Sequence, residues 1–321
     1  MLMDYLIKKI LQHPDRDKFF FILDKRYKCP DELTGNFIVI DGSLRERKKV
    51  YIQYKKRLTK VFCFANIPPP IKLPVEVYTY LHNPKLLEAS ANKFNKKYWL
   101  LYAKYRVIRY YRKNTDFFVV QTNEMAKKLL GLKLKKKGRC LIIPFYDIEK
   151  YEKNKVPFID KSATDFAFIS TPSFHKNYPR LLAAWEDLYE KKITPTLHVT
   201  IDNTAPELLH KVKEMQAKGI KIINYGFIDP LSLYNSCAFL IFPSFTESFG
   251  LPLIEAVTCN MKVLAPNLAY VKDVIEPSLM FDTYSVQSIS AAVVTTLNNE
   301  LPVSKVVATD DIDKLLALLT E

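Results

Sequence analysis

The feature that most constrains the fold is a regular alternation of apolar strand-like runs and amphipathic helical segments. In the second half, strands are predicted at 165–170, 196–201, 220–225, 238–243, 261–265 and 279–281. In the first half, strands are predicted at 18–24, 36–41, 61–65, 75–81, 116–121 and 139–144. Strands separated by helices are typical of βαβ units, which form parallel sheets covered by helices. We therefore expect an α/β protein built from doubly wound parallel sheets.

Charge divides the chain into two parts. Residues 1–160 contain 35 Lys and Arg against 16 Asp and Glu, a net charge of +19, whereas residues 161–321 contain 13 against 18, a net charge of −5. A charged segment with Pro157 lies near this change, so we predict an N-terminal domain over 1–157 and a C-terminal domain over 158–321. The basic domain is expected to attract a polyanion, unless its lysines serve solubility alone.

Composition excludes several classes of protein. Hydrophobic residues make up 48% and charged residues 26% of the chain, which is typical of a globular protein and excludes a disordered one. The apolar runs are too short to span a membrane, and the N-terminus lacks the features of a signal peptide. The five cysteines are scattered and form no CxxC motif, so we predict reduced thiols in the cytoplasm and no structural zinc.

One segment combines the groups that a nucleotide-sugar needs. An apolar strand ends at Pro243, a polar loop carries Glu247, and Gly250 permits a turn before a helix that opens at Leu251. The N–H groups at a helix start form an anion site, and Glu255 lies one turn inside that helix. The segment therefore offers backbone donors for a phosphate and two carboxylates that can accept from sugar and ribose hydroxyls.

Glu247 and Glu255, within the sequence ESFGLPLIEA, resemble the E-x7-E signature of retaining glycosyltransferases of the GT-B fold, glycosyltransferase family 4. Three other stretches are similar to parts of this family, at 168–185, at 225–237, and at 119–122 with 142–144. The resemblance is strong over about 160–285 and weak before it. It implies two Rossmann-like domains facing across a cleft, with the donor on the C-terminal domain and the acceptor on the basic N-terminal one.

The resemblance also implies roles for donor-binding residues. Lys176, in the sequence HKN, neutralises the donor diphosphate, and Glu255 accepts hydrogen bonds from the ribose hydroxyls. Backbone N–H groups bind the transferred sugar or the phosphate at Phe249, Gly250 and Leu251. The family usually has an arginine where this chain has Ser170. We count the adjacent Thr171 in the donor site, and Arg180 is a candidate substitute for that arginine.

Two catalytic residues are implied in the same way. Glu247 holds hydroxyls of the transferred sugar, and His82 resembles an N-domain histidine near the reacting carbon. In the family, the leaving phosphate takes the acceptor proton, attack occurs on the front face, and the configuration is retained. The protein then supplies electrostatic stabilisation. No metal ion and no cofactor are implied, and the nucleotide-sugar is the donor substrate.

The sequence thus predicts a retaining, metal-independent enzyme that moves a hexose from a nucleotide-sugar to a saccharide or lipid-linked acceptor in lipopolysaccharide or capsule biosynthesis. The family usually opens with a strand and a glycine-rich loop, but the seven glycines of this chain are not clustered, so this loop is replaced or the first βα element is absent. This difference and the missing arginine leave two alternatives open. The chain could be a polyanion-binding protein, or a non-transferase of the same fold such as an epimerase or phosphorylase. No nucleic-acid partner is expected, because zinc-finger spacing and an RNP-type strand are missing.

The segment 93–113 interleaves lysine and arginine with aromatic residues. Such a helix can lie on an anionic membrane, and this would place a cytoplasmic protein on the inner face of the plasma membrane. The alternative is a core helix whose apolar stripe packs inward beneath a basic outer face.

Overall fold

The computed structural model describes residues 2–28, 33, 36–88, 99–134 and 138–321. The chain divides into two compact units. The first unit comprises Met1–Asp147 with Thr309–Glu321, and the second comprises Ile148–Ala308.

The described helices and strands alternate along the chain as the sequence predicts. The α-helices are α1 Leu2–Gln12, α2 Leu44–Tyr54, α3 Pro84–Glu88, α4 Trp99–Tyr111, α5 Asn123–Gly131, α6 Glu149–Asn154, α7 Tyr178–Glu190, α8 Pro206–Ala217, α9 Pro230–Ser236, α10 Leu251–Thr258, α11 Ala269–Lys272, α12 Val286–Asn298 and α13 Ile312–Thr320. The strands are β1 Phe21–Asp24, β2 Phe37–Ile40, β3 Lys60–Cys63, β4 Glu76–Tyr80, β5 Phe117–Val120, β6 Cys140–Ile142, β7 Ser162–Phe168, β8 Thr196–Val199, β9 Ile222–Asn224, β10 Cys237–Ile241, β11 Lys262–Pro266, β12 Ile275–Glu276, β13 Leu279–Phe281 and β14 Lys305–Val306.

The second unit contains a six-stranded parallel sheet in the order β13-β11-β10-β7-β8-β9. The chain starts in the middle at β7, moves outward through β8 and β9, and then returns to β10 on the other side. The strand order therefore reverses between β7 and β10, which is the doubly wound Rossmann arrangement. In such sheets ligands bind outside the carboxyl ends of the strands at this reversal.

The first unit contains a four-stranded parallel sheet in which β3, β4, β5 and β6 lie side by side in chain order. A separate parallel pair is formed by β1 and β2. Within the described residues, α1 precedes the first strand of this unit. The predicted α/β architecture with parallel sheets is confirmed in both units.

The C-terminal helix α13 belongs to the first unit, whereas the sequence prediction placed it in a domain over 158–321. Its apolar stripe explains the difference, because Ile312, Leu315 and Leu316 are buried in one cluster with residues of α1 and β4. The change from the first unit to the second falls at Asp147–Ile148, ten residues before the predicted boundary.

Candidate functional site

The predicted donor residues lie at the strand reversal of the second unit. A short 3-10 turn, Phe174–Lys176, follows β7, and the loop that carries Glu247 follows β10. Because β7 and β10 are parallel neighbours, their carboxyl ends meet at the same edge of the sheet. The backbone N–H of Phe245 donates to the carbonyl oxygen of His175 at 2.8 Å, which joins the loop to the turn.

Lys176 and Glu247 form an ion pair at this edge. The Nζ atom of Lys176 lies 2.7 Å from Oε1 of Glu247, and the side chains are only 13% and 12% exposed. The ammonium also lies 5.4 Å from the centroid of the Phe242 ring. A charge shielded from water interacts more strongly with its partner. The Lys176 ammonium can therefore bind a phosphate oxygen strongly when that oxygen takes the place of the Glu247 carboxylate.

Asn177 fixes the position of Lys176. Asn177 is buried and has a φ of 59°, in the left-handed region that asparagine tolerates better than most residues. Its Nδ2 donates to the carbonyl oxygen of Pro243 at 3.3 Å and to that of Thr283 at 2.8 Å. One amide therefore ties the start of α7 to the end of β10 and to the turn after β13.

Helix α10 begins at Leu251, where the sequence predicts its start. Gly250 is the N-cap residue with a φ of 86°, and a Cβ there would lie 3.1 Å from Leu253 Cδ1, so a larger residue would be strained. Leu251 is the first helical residue, and Phe249 is buried just before it. In the loop before α10, the hydroxyl of Ser244 is buried and, among the described residues, has no hydrogen-bond partner.

Glu255 has different partners from Glu247. It is 4% exposed on the inner side of α10, and its Oε2 accepts a hydrogen bond from the Tyr234 hydroxyl at 2.8 Å. Burial raises the pKa of Glu255, although hydrogen bonds from Tyr234 and Tyr151 oppose this effect. The structure thus brings Lys176 and Glu247 together and places Glu255 against tyrosines of α9 and α6.

Ser170 stands where the family usually has an arginine, and Thr171 follows it. The backbone N–H of Ser170 donates to Thr200 Oγ1 at 3.0 Å, and Thr171 is exposed just after it. Arg180 lies 5.4 Å from the Phe245 ring centroid, and its Nε donates to the carbonyl oxygen of Tyr284 at 3.2 Å. Arg180 therefore contacts the loop that carries Glu247 and the turn after β13.

His82 lies in the first unit, just past the carboxyl end of β4. Its backbone N–H donates to Oδ1 of Asn66 at 2.9 Å, and its Nε2 lies 3.2 Å from Nδ2 of the same asparagine. Because Asn66 Oδ1 accepts from the backbone, its Nδ2 is the donor and Nε2 of the imidazole is the acceptor. The proton of the neutral ring is then on Nδ1, which is buried and has no partner among the described residues.

Burial lowers the pKa of His82 to about 4, so the imidazole is neutral at physiological pH. A neutral ring with an unused N–H is a hydrogen-bond donor and not a general base.

Among the described residues, no group of three or more His, Cys, Asp or Glu side chains is arranged to hold a metal ion. The described cysteines, at 63, 140, 237 and 259, are free thiols, and Cys29 lies outside the described residues.

The sequence prediction missed three residues that shape this site: Asn66, Asn177 and Tyr234. Asn177 could have been found, because it completes the HKN sequence and asparagine is favoured where the backbone turns left-handed. No sequence signal pairs Tyr234 with Glu255, or Asn66 with His82, because these contacts depend on how elements pack.

A comparison with protein families decides the nature of the second unit. Residues 149–308 match the family Glycosyl transferases group 1. The matched range coincides with the second unit and contains Lys176, Glu247 and Glu255. The family match and the relatives described next support a glycosyltransferase enzyme.

Among curated proteins, the chain is similar to the serotype-specific mannosyltransferase WbdA of Escherichia coli, with 28% identity over 165 residues. That match covers 48% of this chain but 20% of WbdA, so the chain spans about a fifth of the length of this relative. It is also 33% identical over 69 residues to the O-antigen chain mannosyltransferase B of Escherichia coli, covering 21% of this chain and 18% of that protein.

Solved structures share the fold of the chain at low sequence identity. WaaG, described as a glycosyltransferase involved in lipopolysaccharide biosynthesis, superposes with a TM-score of 0.65 at 14% identity, covering 92% of this chain and 86% of WaaG. The galactosyltransferase WaaB superposes with a TM-score of 0.64 at 13% identity, covering 94% of this chain and 87% of WaaB. The expected GT-B fold, with two Rossmann-like domains, is confirmed.

Proposed function

We propose that this protein is a retaining, metal-independent glycosyltransferase that moves a hexose from a nucleotide-sugar to a saccharide or lipid-linked acceptor. The observation that carries the proposal is the shielded pair of Lys176 and Glu247 at the strand reversal of a group 1 glycosyltransferase domain. The names of relatives that act in O-antigen and lipopolysaccharide synthesis favour a surface polysaccharide as the product.

In this proposal the diphosphate of the donor replaces Glu247 as the partner of Lys176. The ammonium and the N–H groups around Phe249, Gly250 and Leu251 stabilise the charge that develops as the sugar–phosphate bond breaks. Glu247, released from Lys176, then accepts hydrogen bonds from hydroxyls of the transferred sugar. Lys176 thus supplies positive charge for the leaving group. Thr171, also assigned to the donor site, lies just past the end of β7.

Glu255 is assigned to the ribose hydroxyls. Two features support this role: its position on α10, directly inside the proposed phosphate site, and the Tyr234 hydrogen bond that holds its carboxylate in place. A carboxylate has about four lone-pair sites, so one that accepts from Tyr234 and Tyr151 can still accept from further donors, such as a pair of vicinal hydroxyls.

His82 is assigned to a substrate oxygen near the reacting carbon. Its position just past the carboxyl end of β4 and its neutral ring support this assignment. The acceptor proton goes to the leaving phosphate, so that the new glycosidic bond forms on the face from which the phosphate departs. Retention of configuration follows from this front-face attack.

A donor screen tests the proposal. Purified protein is incubated with UDP- and GDP-activated hexoses, including an activated mannose because two relatives are named mannosyltransferases, and release of free nucleotide is measured. We expect release with at least one donor and its loss in Lys176→Met. Absence of both nucleotide release and thermal stabilisation with every donor would contradict the proposal and favour a polyanion-binding protein.

We also propose that helix α4 attaches the first unit to an anionic membrane surface on the cytoplasmic side. Tyr105 and Ile108 pack into the core of the unit, as expected for a core helix, while Trp99, Leu100 and Tyr110 stay exposed beside Lys104, Arg106 and Arg109. Of the described helices, none is long and apolar enough to cross a membrane. The part of the predicted basic segment at 93–98 lies outside the described residues.

Flotation with vesicles of phosphatidylglycerol and phosphatidylcholine tests this attachment. Each basic residue near an anionic surface contributes about 1 kcal/mol, so Arg106→Glu with Arg109→Glu should lower the bound fraction strongly, and so should high salt. Lys213→Glu, an exposed lysine of the second unit, is the matched control. Equal binding to neutral vesicles would contradict the electrostatic attachment.

A further inference from the structure

A concave site lies at the edge strands of the same sheet, near the loop that carries Glu247. It is a pocket of about 360 Å³ at the carboxyl ends of β11 and β13, next to the start of α12. Its volume falls in the lower part of the range of about 300–1,000 Å³ that is usual for small-ligand sites. Lys176, Glu247 and Glu255 are not among its lining residues.

The lining of this pocket combines apolar surface with uncharged and acidic polar groups. The apolar part includes Tyr284, whose side chain is 60% exposed, and the exposed Met280. The polar part includes Asn267, Asp282 and Ser288. The lining residues contain no lysine or arginine, so the pocket does not favour a phosphate or a nucleotide.

Tyr284 is held in a fixed orientation. Its ring stacks on that of Phe245 with centroids 5.0 Å apart and planes inclined by 17°. Its carbonyl oxygen accepts from Nε of Arg180, and its N–H donates to Oδ1 of Asp282 at 2.9 Å. Phe245 is two residues before Glu247, so the wall of the pocket is continuous with the loop of the proposed donor site.

We propose that this pocket is a saccharide-binding subsite of the second unit. A pyranose ring has an apolar face of C–H groups that packs on an aromatic ring, and an edge of hydroxyls that bond to amide and carboxylate groups. Tyr284 supplies the ring, and Asn267 and Asp282 supply the polar groups. The assignment of its ligand as part of the acceptor glycan rests on the proposed function, which requires a saccharide close to the donor loop.

Saturation-transfer NMR on the full chain tests the subsite, with mannobiose, maltose and lactose as probes at millimolar concentration and glycerol as a non-saccharide control. At least one disaccharide should give ring-proton signals with the unaltered chain. Tyr284→Ala should weaken its apparent affinity about tenfold, which corresponds to about 1.4 kcal/mol. Asn267→Ala, a change at an exposed side chain, should weaken it as well. Tyr110→Ala, which removes an exposed ring from the first unit, should leave it unchanged.

Two comparisons separate this inference from the proposed function. Lys176→Met should bind the disaccharide as the unaltered chain does, although it binds nucleotide more weakly. Tyr284-dependent disaccharide binding without nucleotide release from any donor would support the subsite and contradict the proposed function. Absence of disaccharide signals, or equal signals in Tyr284→Ala and the unaltered chain, would overturn the subsite even if sugar transfer is observed.

Discussion

Replacing Lys176 by methionine should have two separable consequences, one for folding and one for nucleotide binding. The substitution leaves the Glu247 carboxylate, 12% exposed, without the ammonium that lies 2.7 Å away. Breaking a fully buried pair costs about 3–5 kcal/mol and an exposed pair about 0–1 kcal/mol, so we expect a loss of about 2 kcal/mol here. For a domain the size of the second unit this corresponds to a decrease in melting temperature of about 4–8 °C.

The double variant Lys176→Met, Glu247→Gln should recover most of that stability, because an amide has no charge to leave unpaired. It should not recover nucleotide binding. A charge-assisted hydrogen bond to a phosphate contributes about 1.5–3 kcal/mol, so both variants should bind nucleoside diphosphate about 10- to 150-fold more weakly in isothermal titration.

The matched control is Lys211→Met. Lys211 forms an ion pair with Glu186 at the same N–O distance of 2.7 Å in the same unit, but both side chains are more exposed. It should change stability by less than about 1 kcal/mol and leave nucleotide affinity unaltered. Unchanged nucleotide affinity in Lys176→Met would show that Lys176 does not bind the diphosphate. A double variant as unstable as the single one would show that the unpaired charge of Glu247 does not cause the loss of stability.

Four further predictions concern the remaining groups. Glu247→Gln should lower turnover without weakening nucleoside diphosphate binding, because it removes a competitor for Lys176. A larger loss of nucleotide affinity than of turnover would contradict this. Tyr234→Phe should destabilise the chain by about 1–3 kcal/mol in thermal melts, since the buried Glu255 loses one of its two tyrosine donors. The pKa of His82 is about 4 in the folded chain and 6.5 in the unfolded chain, so between pH 4 and 6.5 the imidazole is protonated only in the unfolded chain. Stability should therefore fall as pH decreases from 6.5 to 4, and less so in His82→Gln. Finally, nucleotide release should persist in excess EDTA, and its loss would contradict metal independence.

The second unit was predictable to a large extent because its sheet is buried on both faces. Continuous apolar runs such as the one ending at Pro243 mark the strands, and the turn at Gly250 and the proline after Leu251 mark the start of α10. The observed strand Cys237–Ile241 ends two residues before the predicted end at 243, because the chain leaves the sheet to form the loop that carries Glu247.

Other features could not be read from the sequence because they depend on long-range packing. The apolar stripe of α13 predicts a buried helix face but does not say which unit buries it. The spacing of Glu247 and Glu255 predicts two carboxylates near one helix start, yet only Glu247 pairs with Lys176, while Glu255 meets Tyr234 from another helix. Side-chain partners across elements are set by the angles at which helices meet the sheet.

The most direct test of the central claim is a crystal structure of the chain with a bound donor, or with the nucleoside diphosphate it releases. We expect the Nζ atom of Lys176 to lie within hydrogen-bonding distance of a phosphate oxygen and Glu247 to have turned towards the sugar hydroxyls. A structure in which the nucleotide is bound elsewhere, while Lys176 and Glu247 remain paired, would contradict the central claim.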